Sequence, residues 1–192
     1  LRWTGQIDQV RAKVGRLLGV LGRAGTVLGG RSLLSLYNGL VLPHLQYCLM
    51  VWGDFQEGGN RTQAAPILSY QKRLAGLVAG KRGRYHADPL FARYGILKIG
   101  DLYRQQLRVH AWRYWNGLLP MNQAAMLTRA GDVHGYATRS ARGGLALMTR
   151  DHRSIGYRAP KEWASMLEAQ EVRSLAAFKR GSRGRFVADY GA

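Results

Sequence analysis

The chain has 192 residues, 46% of them hydrophobic, enough to bury one core and too apolar for a disordered segment. Lysine and arginine number 29 against 11 acidic residues, a net charge of +18 carried mostly by arginine. An imbalance of that size calls for a polyanion, and planar guanidinium groups suit phosphate and base stacking, so nucleic acid is the expected partner.

Leu1 is not an initiator methionine and no signal peptide is visible, so the chain reads as a processed or excised piece of something longer. Residues 5–23 carry Ile7, Val10, Val14, Leu17, Leu18 and Leu21 at helical spacing, with Arg11, Lys13, Arg16 and Arg23 mostly off that stripe. Gly22, Gly25, Gly29 and Gly30 then read as a flexible connection. The longest apolar run follows, SLLSLYNGLVLPHLQYCLMVWG at residues 32–53. Leu33, Leu36, Tyr37, Leu40 and Val41 form one helical face, Ser32 is placed to cap it, and Pro43 is expected to stop or kink it. Neither half reaches the roughly 20 apolar residues that span a bilayer, so a packed helix pair is favoured and no membrane is expected. Cys48 is the only cysteine, which excludes an internal disulfide and a zinc knuckle, and its apolar neighbours suggest a core filler.

A glycine-rich loop at residues 54–62 leads to a third helix at about 64–79, with Ile67, Tyr70, Gln71, Leu74, Leu77 and Val78 at helical spacing and Gly80 as its cap. The next loop, KRGRYH at residues 81–86, is the densest cluster of charge. It can clamp a phosphate, and Lys81 and Arg82 can also complement the negative end of the helix before them. Asp88 and Pro89 open a short helix that Gly95 ends. A long helix at about 101–116 turns Tyr103, Leu107, His110, Ala111, Tyr114 and Leu118 inward. Arg104, Arg108 and Trp112 fall one above another on a different face. Two arginines so spaced repel unless an anion spans them, and Trp112 beside them is placed either to stack on a base or to be buried. Beyond Pro120 the helical period lapses, and VHGYATRS and SIGYRAP suggest short extended segments or a small hairpin. Pro160 is placed to open a helix, and a short basic helix closes the chain at residues 175–190.

Catalytic arrangements are not apparent. Paired aspartates for a two-metal polymerase site are missing, since no two carboxylates are adjacent anywhere. The five histidines are dispersed, Asp151 beside His152 is an isolated pair, and no glycine loop of the P-loop type occurs. No catalytic residue, metal site or cofactor is therefore expected.

The order of motifs resembles the region C-terminal to the polymerase palm in reverse transcriptases of non-LTR (LINE-type) retrotransposons. LRWTGQI at residues 1–7, LYNGLVLPHLQYCLMVWG at 36–53 and ILSYQKRLAGLVAG at 67–80 carry it. DPLFARYGILKIGDLYRQQL at 88–107, TRS at 138–140, GYRAPKEWA and the later FK at 178–179 follow in order. The chain departs from the family pattern at Ala159 and Ala164, where glycine and asparagine are usual. The resemblance implies a helical thumb-like domain at residues 1–120 that grips a template and primer duplex. It also implies a basic linker at 121–192, read here as short strands with two terminal helices. Catalysis would lie upstream, outside this chain.

The expected fold is mainly α, a helical bundle followed by a smaller α+β element. The expected function is non-catalytic binding of RNA or an RNA/DNA duplex. A structural RNA-binding protein of a ribonucleoprotein such as a ribosome, built from such a domain, fits the same features. An upstream polymerase region or other ribonucleoprotein subunits are the further partners. The first reading places the protein in the nucleus, the second in the mitochondrion or cytoplasm. Phosphate contacts are expected from Lys72, Arg73, Lys81, Arg82, Arg84, Arg104 and Arg108, with Arg139, Arg142 and Arg158 behind them and Trp112 as a stacking platform.

Overall fold

The computed structural model describes residues 3–55, 61–81, 83–133, 143–147, 149–152, 154–166 and 171–191, and for residues 61–63 the backbone alone. The fold is mainly α, as expected. The small α+β element is not: among the described residues there is no strand, and one isolated antiparallel bridge joins Arg129 to Leu145. By backbone contact the chain forms two compact units, Leu1–Tyr103 with Arg183–Ala192, and Arg104–Ser182. Residues 120 and 121, where composition suggested a boundary, both fall inside the second.

In the first unit, α1 (Thr4–Ala24) buries Ile7, Val10, Val14, Leu18 and Leu21, the stripe read from the sequence. Each such side chain removed from water contributes about 1.5–3 kcal/mol. The long apolar run begins with α2 (Gly30–Leu36), continues through a π-helical turn (Tyr37–Val41) and α3 (Leu42–Gln46), and ends with α4 (Leu49–Trp52). Leu33, Tyr37, Val41, Leu45 and Leu49 are buried in it at intervals of four, and Trp52 closes the set. A straight α-helix over-rotates by about 40° every four residues, and one wider turn brings the next residue back to the same face. That turn, closed by the Leu42 N–H on the Tyr37 carbonyl, lies immediately before Pro43.

The chain therefore passes the proline and breaks four residues later. Tyr47 is extended and Cys48 takes a left-handed conformation at φ 49°, while the Trp52 indole N–H holds the Tyr47 carbonyl at 2.8 Å. Of the two outcomes expected at Pro43 the helix does not stop there but passes it through the π-helical turn, and one expectation is corrected: Cys48 is exposed rather than a core filler.

α5 (Arg61–Val78) packs along α1 and against α2. It ends in a left-handed Gly80 at φ 63°, with Lys81 N–H bonded to the Gly76 carbonyl, the cap expected from the sequence. Gln71 is wholly buried on α5: its amide donates to the Leu97 carbonyl at 3.0 Å and its oxygen accepts from Ile99 N–H at 2.8 Å. That one side chain satisfies a carbonyl of the non-helical link at 96–98 and the N–H of the residue that follows it. α6 (Asp88–Tyr94) ends at a left-handed Gly95, also as expected. The chain's end returns to this unit, where the Tyr190 hydroxyl donates to Asp101 Oδ2 and accepts from Lys98 N–H, and Arg183 donates to the Gly95 carbonyl.

α7 (Ile99–Trp115) enters the second unit at Arg104, which also holds α8 (Met121–Ala124), α9 (Ala130–Val133), α10 (Ile155–Ala164) and the first half of α11 (Leu175–Asp189). SIGYRAP is helix, not hairpin. Ser154 caps α10 by accepting from Tyr157 N–H at 3.2 Å, so the helix starts before Pro160, which lies buried inside it beside Trp163. Most of VHGYATRS lies outside the described residues. Leu118, expected inward, is exposed beyond the end of α7. Trp112, Trp163 and Phe178 form the aromatic core of this unit. Among the described residues no helix is long and apolar enough to cross a membrane.

Candidate nucleic-acid interface

The basic cluster of the first unit is assembled on the C-terminal half of α5. Lys72 and Arg73 are exposed there, and the left-handed Gly80 turns the chain back so that Lys81, Arg84, Tyr85 and His86 line the same region. The turn is fixed by close approach. Tyr85 lies across α5 at Gly76, in space that any side chain at 76 would fill, and its hydroxyl donates to the Lys72 carbonyl at 3.2 Å. A second left-handed glycine, Gly83 at φ 81°, shapes the loop between the cations.

Two grooves flank the ridge formed by Arg73, Gly83 and Tyr85. One, of about 620 Å³, also takes in Lys72, Arg84 and His86, with Ser69 and Asp88 at its edge. Asp88 already pairs with Lys98 at 3.0 Å, which offsets its charge there. The other, of about 670 Å³, runs between α5 and α1, with Lys81 and Arg73 above a floor containing Gly15, Gly19 and Gly22. A Cβ at Gly19 or Gly22 would meet nothing, so the floor is open, whereas at Gly15 it would touch the Tyr70 ring. Tyr70 was read only as part of the α5 stripe and Gly22, which lies within α1, as part of a flexible connection; Gly15 and Gly19 were not singled out from the sequence. Their spacing on α1 was the available signal, but a glycine on an exposed helix face reads first as a loss of helix propensity.

Lys72, Arg73, Lys81 and Arg84 are thus brought together. Arg82, Arg139 and Arg142 lie outside the described residues. The remaining candidates are corrected. Arg104 and Arg108 do share an anion, but it is the chain's own: Glu162 of α10 places Oε1 2.8 Å from Arg104 Nε and Oε2 2.9 Å from Arg108 Nε. Arg108 is buried and also reaches Ser165 at 3.3 Å. Trp112 is buried as well, its N–H on the Val172 carbonyl at 3.0 Å and its ring stacked on Phe178 at 5.7 Å. Arg158 is buried with its guanidinium on the His152 carbonyl. Spacing alone could not show this, because the i, i+4 row that would face a phosphate also faces a neighbouring helix.

Among the described residues, no group of three or more His, Cys, Asp or Glu side chains is placed to hold a metal ion. No family model, curated protein or solved structure matches the chain.

Proposed function

We propose that this chain binds RNA or an RNA/DNA duplex through its phosphates, without chemistry of its own, as a thumb-like and linker part of a reverse-transcriptase lineage. The observation that supports the reading is the convergence of Lys72, Arg73, Lys81 and Arg84 on two adjoining grooves. Four cations at the rim of open grooves are arranged for a phosphate ladder, with glycines below them that let a backbone approach closely. The lineage itself rests on the sequence motifs, and the +18 charge supplies long-range attraction to any polyanion.

The salt dependence of binding tests it. Replacing Lys72, Arg73, Lys81 and Arg84 singly by glutamine should weaken binding to an RNA/DNA duplex and lower the slope of log K against log salt by about one unit per lost contact. Arg104→Gln, whose side chain is held by Glu162, should leave the slope unchanged. Failure to bind any duplex at about 50 mM salt, or an unchanged slope in all four groove variants, defeats the reading.

A further inference from the structure

The second unit carries an aromatic and basic cluster that neither groove accounts for, in the turn preceding α10. Asp151 N–H bonds Thr149 Oγ1 at 3.1 Å, Ser154 N–H bonds the Asp151 carbonyl at 3.0 Å, and the buried Arg158 holds the His152 carbonyl. A turn fixed at three points presents the His152 imidazole to solvent. The ring meets Tyr157 edge to face at 4.4 Å, and one helical turn further the Lys161 ammonium lies over the Tyr157 ring at 4.3 Å. Arg150, two residues before His152, is exposed.

We infer that this turn is a second nucleic-acid contact, specific for an unpaired strand, with a base against His152 and its phosphates on Arg150 and Lys161. It rests on the nucleic-acid reading above. The choice of a single strand follows from the chemistry of the exposed ring. An exposed imidazole can stack only on a base whose own face is open, which a duplex does not offer along its length. The Lys161 ammonium is held near the Tyr157 ring, so less side-chain freedom is lost when it meets a phosphate. Arg158 becomes a positioning residue, which explains an arginine buried beneath a basic surface.

The test uses the full chain and two fluorescent probes, a blunt RNA duplex and an oligouridylate of about twelve residues, within the range single-strand sites cover. His152→Ala should weaken oligouridylate binding about fivefold with the salt slope unchanged, and His152→Phe, which keeps a ring, should restore most of it. Lys161→Gln and Arg150→Gln should each weaken it about threefold and lower the slope by about 0.7. Duplex affinity should not move in any of these variants. Equal losses on both probes, or oligouridylate binding unchanged throughout, overturn the inference. The groove reading survives either result as long as the Lys72, Lys81 and Arg84 variants still weaken the duplex. A chain that binds neither probe removes both readings.

Discussion

Tyr85 occupies the space above Gly76, and its hydroxyl ties the basic loop to the Lys72 carbonyl at 3.2 Å. The loop's cations are therefore positioned by a residue that has no side chain. Gly76→Ala should favour α5 intrinsically by about 0.8–1 kcal/mol. It should also displace Tyr85 and lose a hydrogen bond worth about 0.5–1.5 kcal/mol. The two nearly cancel, so stability measured by urea unfolding should change little. Duplex affinity should fall about fivefold, or roughly 1 kcal/mol, because Lys81 and Arg84 no longer sit at their groove edges. Unchanged affinity would mean that the loop's placement does not matter to binding.

Glu162 separates a structural arginine from a binding one. Arg108 is buried against it and also reaches Ser165, so Glu162→Ala removes the carboxylate that balances a buried guanidinium and should cost about 3 kcal/mol of stability. Replacing both residues together, Glu162→Leu with Arg108→Met, should recover most of that loss, since an apolar pair avoids desolvating two charges. Urea unfolding reads the first effect and the double variant reads the second. The salt slope of duplex binding should be the same in the double variant as in the parent chain.

These residues also show where sequence was sufficient. The stripe of α1, the Gly80 and Gly95 caps and the Asp88–Pro89 start were legible because each depends on local spacing or local backbone conformation. The loop cations were legible for the same reason, being adjacent in the chain. Arg104 and Arg108 were legible as one row on α7, but that row was read as open to a phosphate and is instead closed by an anion of the chain. Its identity was not, because Glu162 lies more than fifty residues away and nothing local ties it to α7. Pro160 misled in another way. Read as a helix start, it lies inside α10, which begins earlier, at the Ser154 cap.

Cys48 provides a check on the break after Pro43. Its thiol is exposed and its φ of 49° lies in the left-handed region. A thiol reagent should modify it fully in the folded chain, at a rate that does not depend on prior unfolding. Left-handed backbone costs an L-residue roughly 1–2 kcal/mol, and glycine gives back part of that gain in the unfolded state. Cys48→Gly should therefore stabilise the chain by about 0.5–1 kcal/mol, whereas Cys48→Val, branched at Cβ, should destabilise it. Protection of the thiol until the chain unfolds would return Cys48 to the core.

His110 sets a pH limit on the second unit. It is buried, and its Nε2 finds no hydrogen-bond partner among the described residues. Burial first, and the charge of Arg113 second, hold its pKa below the ordinary value, so the folded chain keeps this imidazole neutral where the unfolded chain protonates it. The unfolded state then binds the extra proton. The stability involved is fully present above the unfolded value of about 6.5 and is lost as pH falls through the folded value, by at most about 1.4 kcal/mol per pH unit. Thermal or urea unfolding between about pH 7.5 and pH 5 should show that decline, and His110→Leu should flatten it by up to one proton's worth of slope. His110 lines neither of the first-unit grooves, so the same variant should leave duplex affinity at neutral pH unchanged. Equal slopes in the parent chain and His110→Leu would show that this imidazole carries no proton linkage to folding.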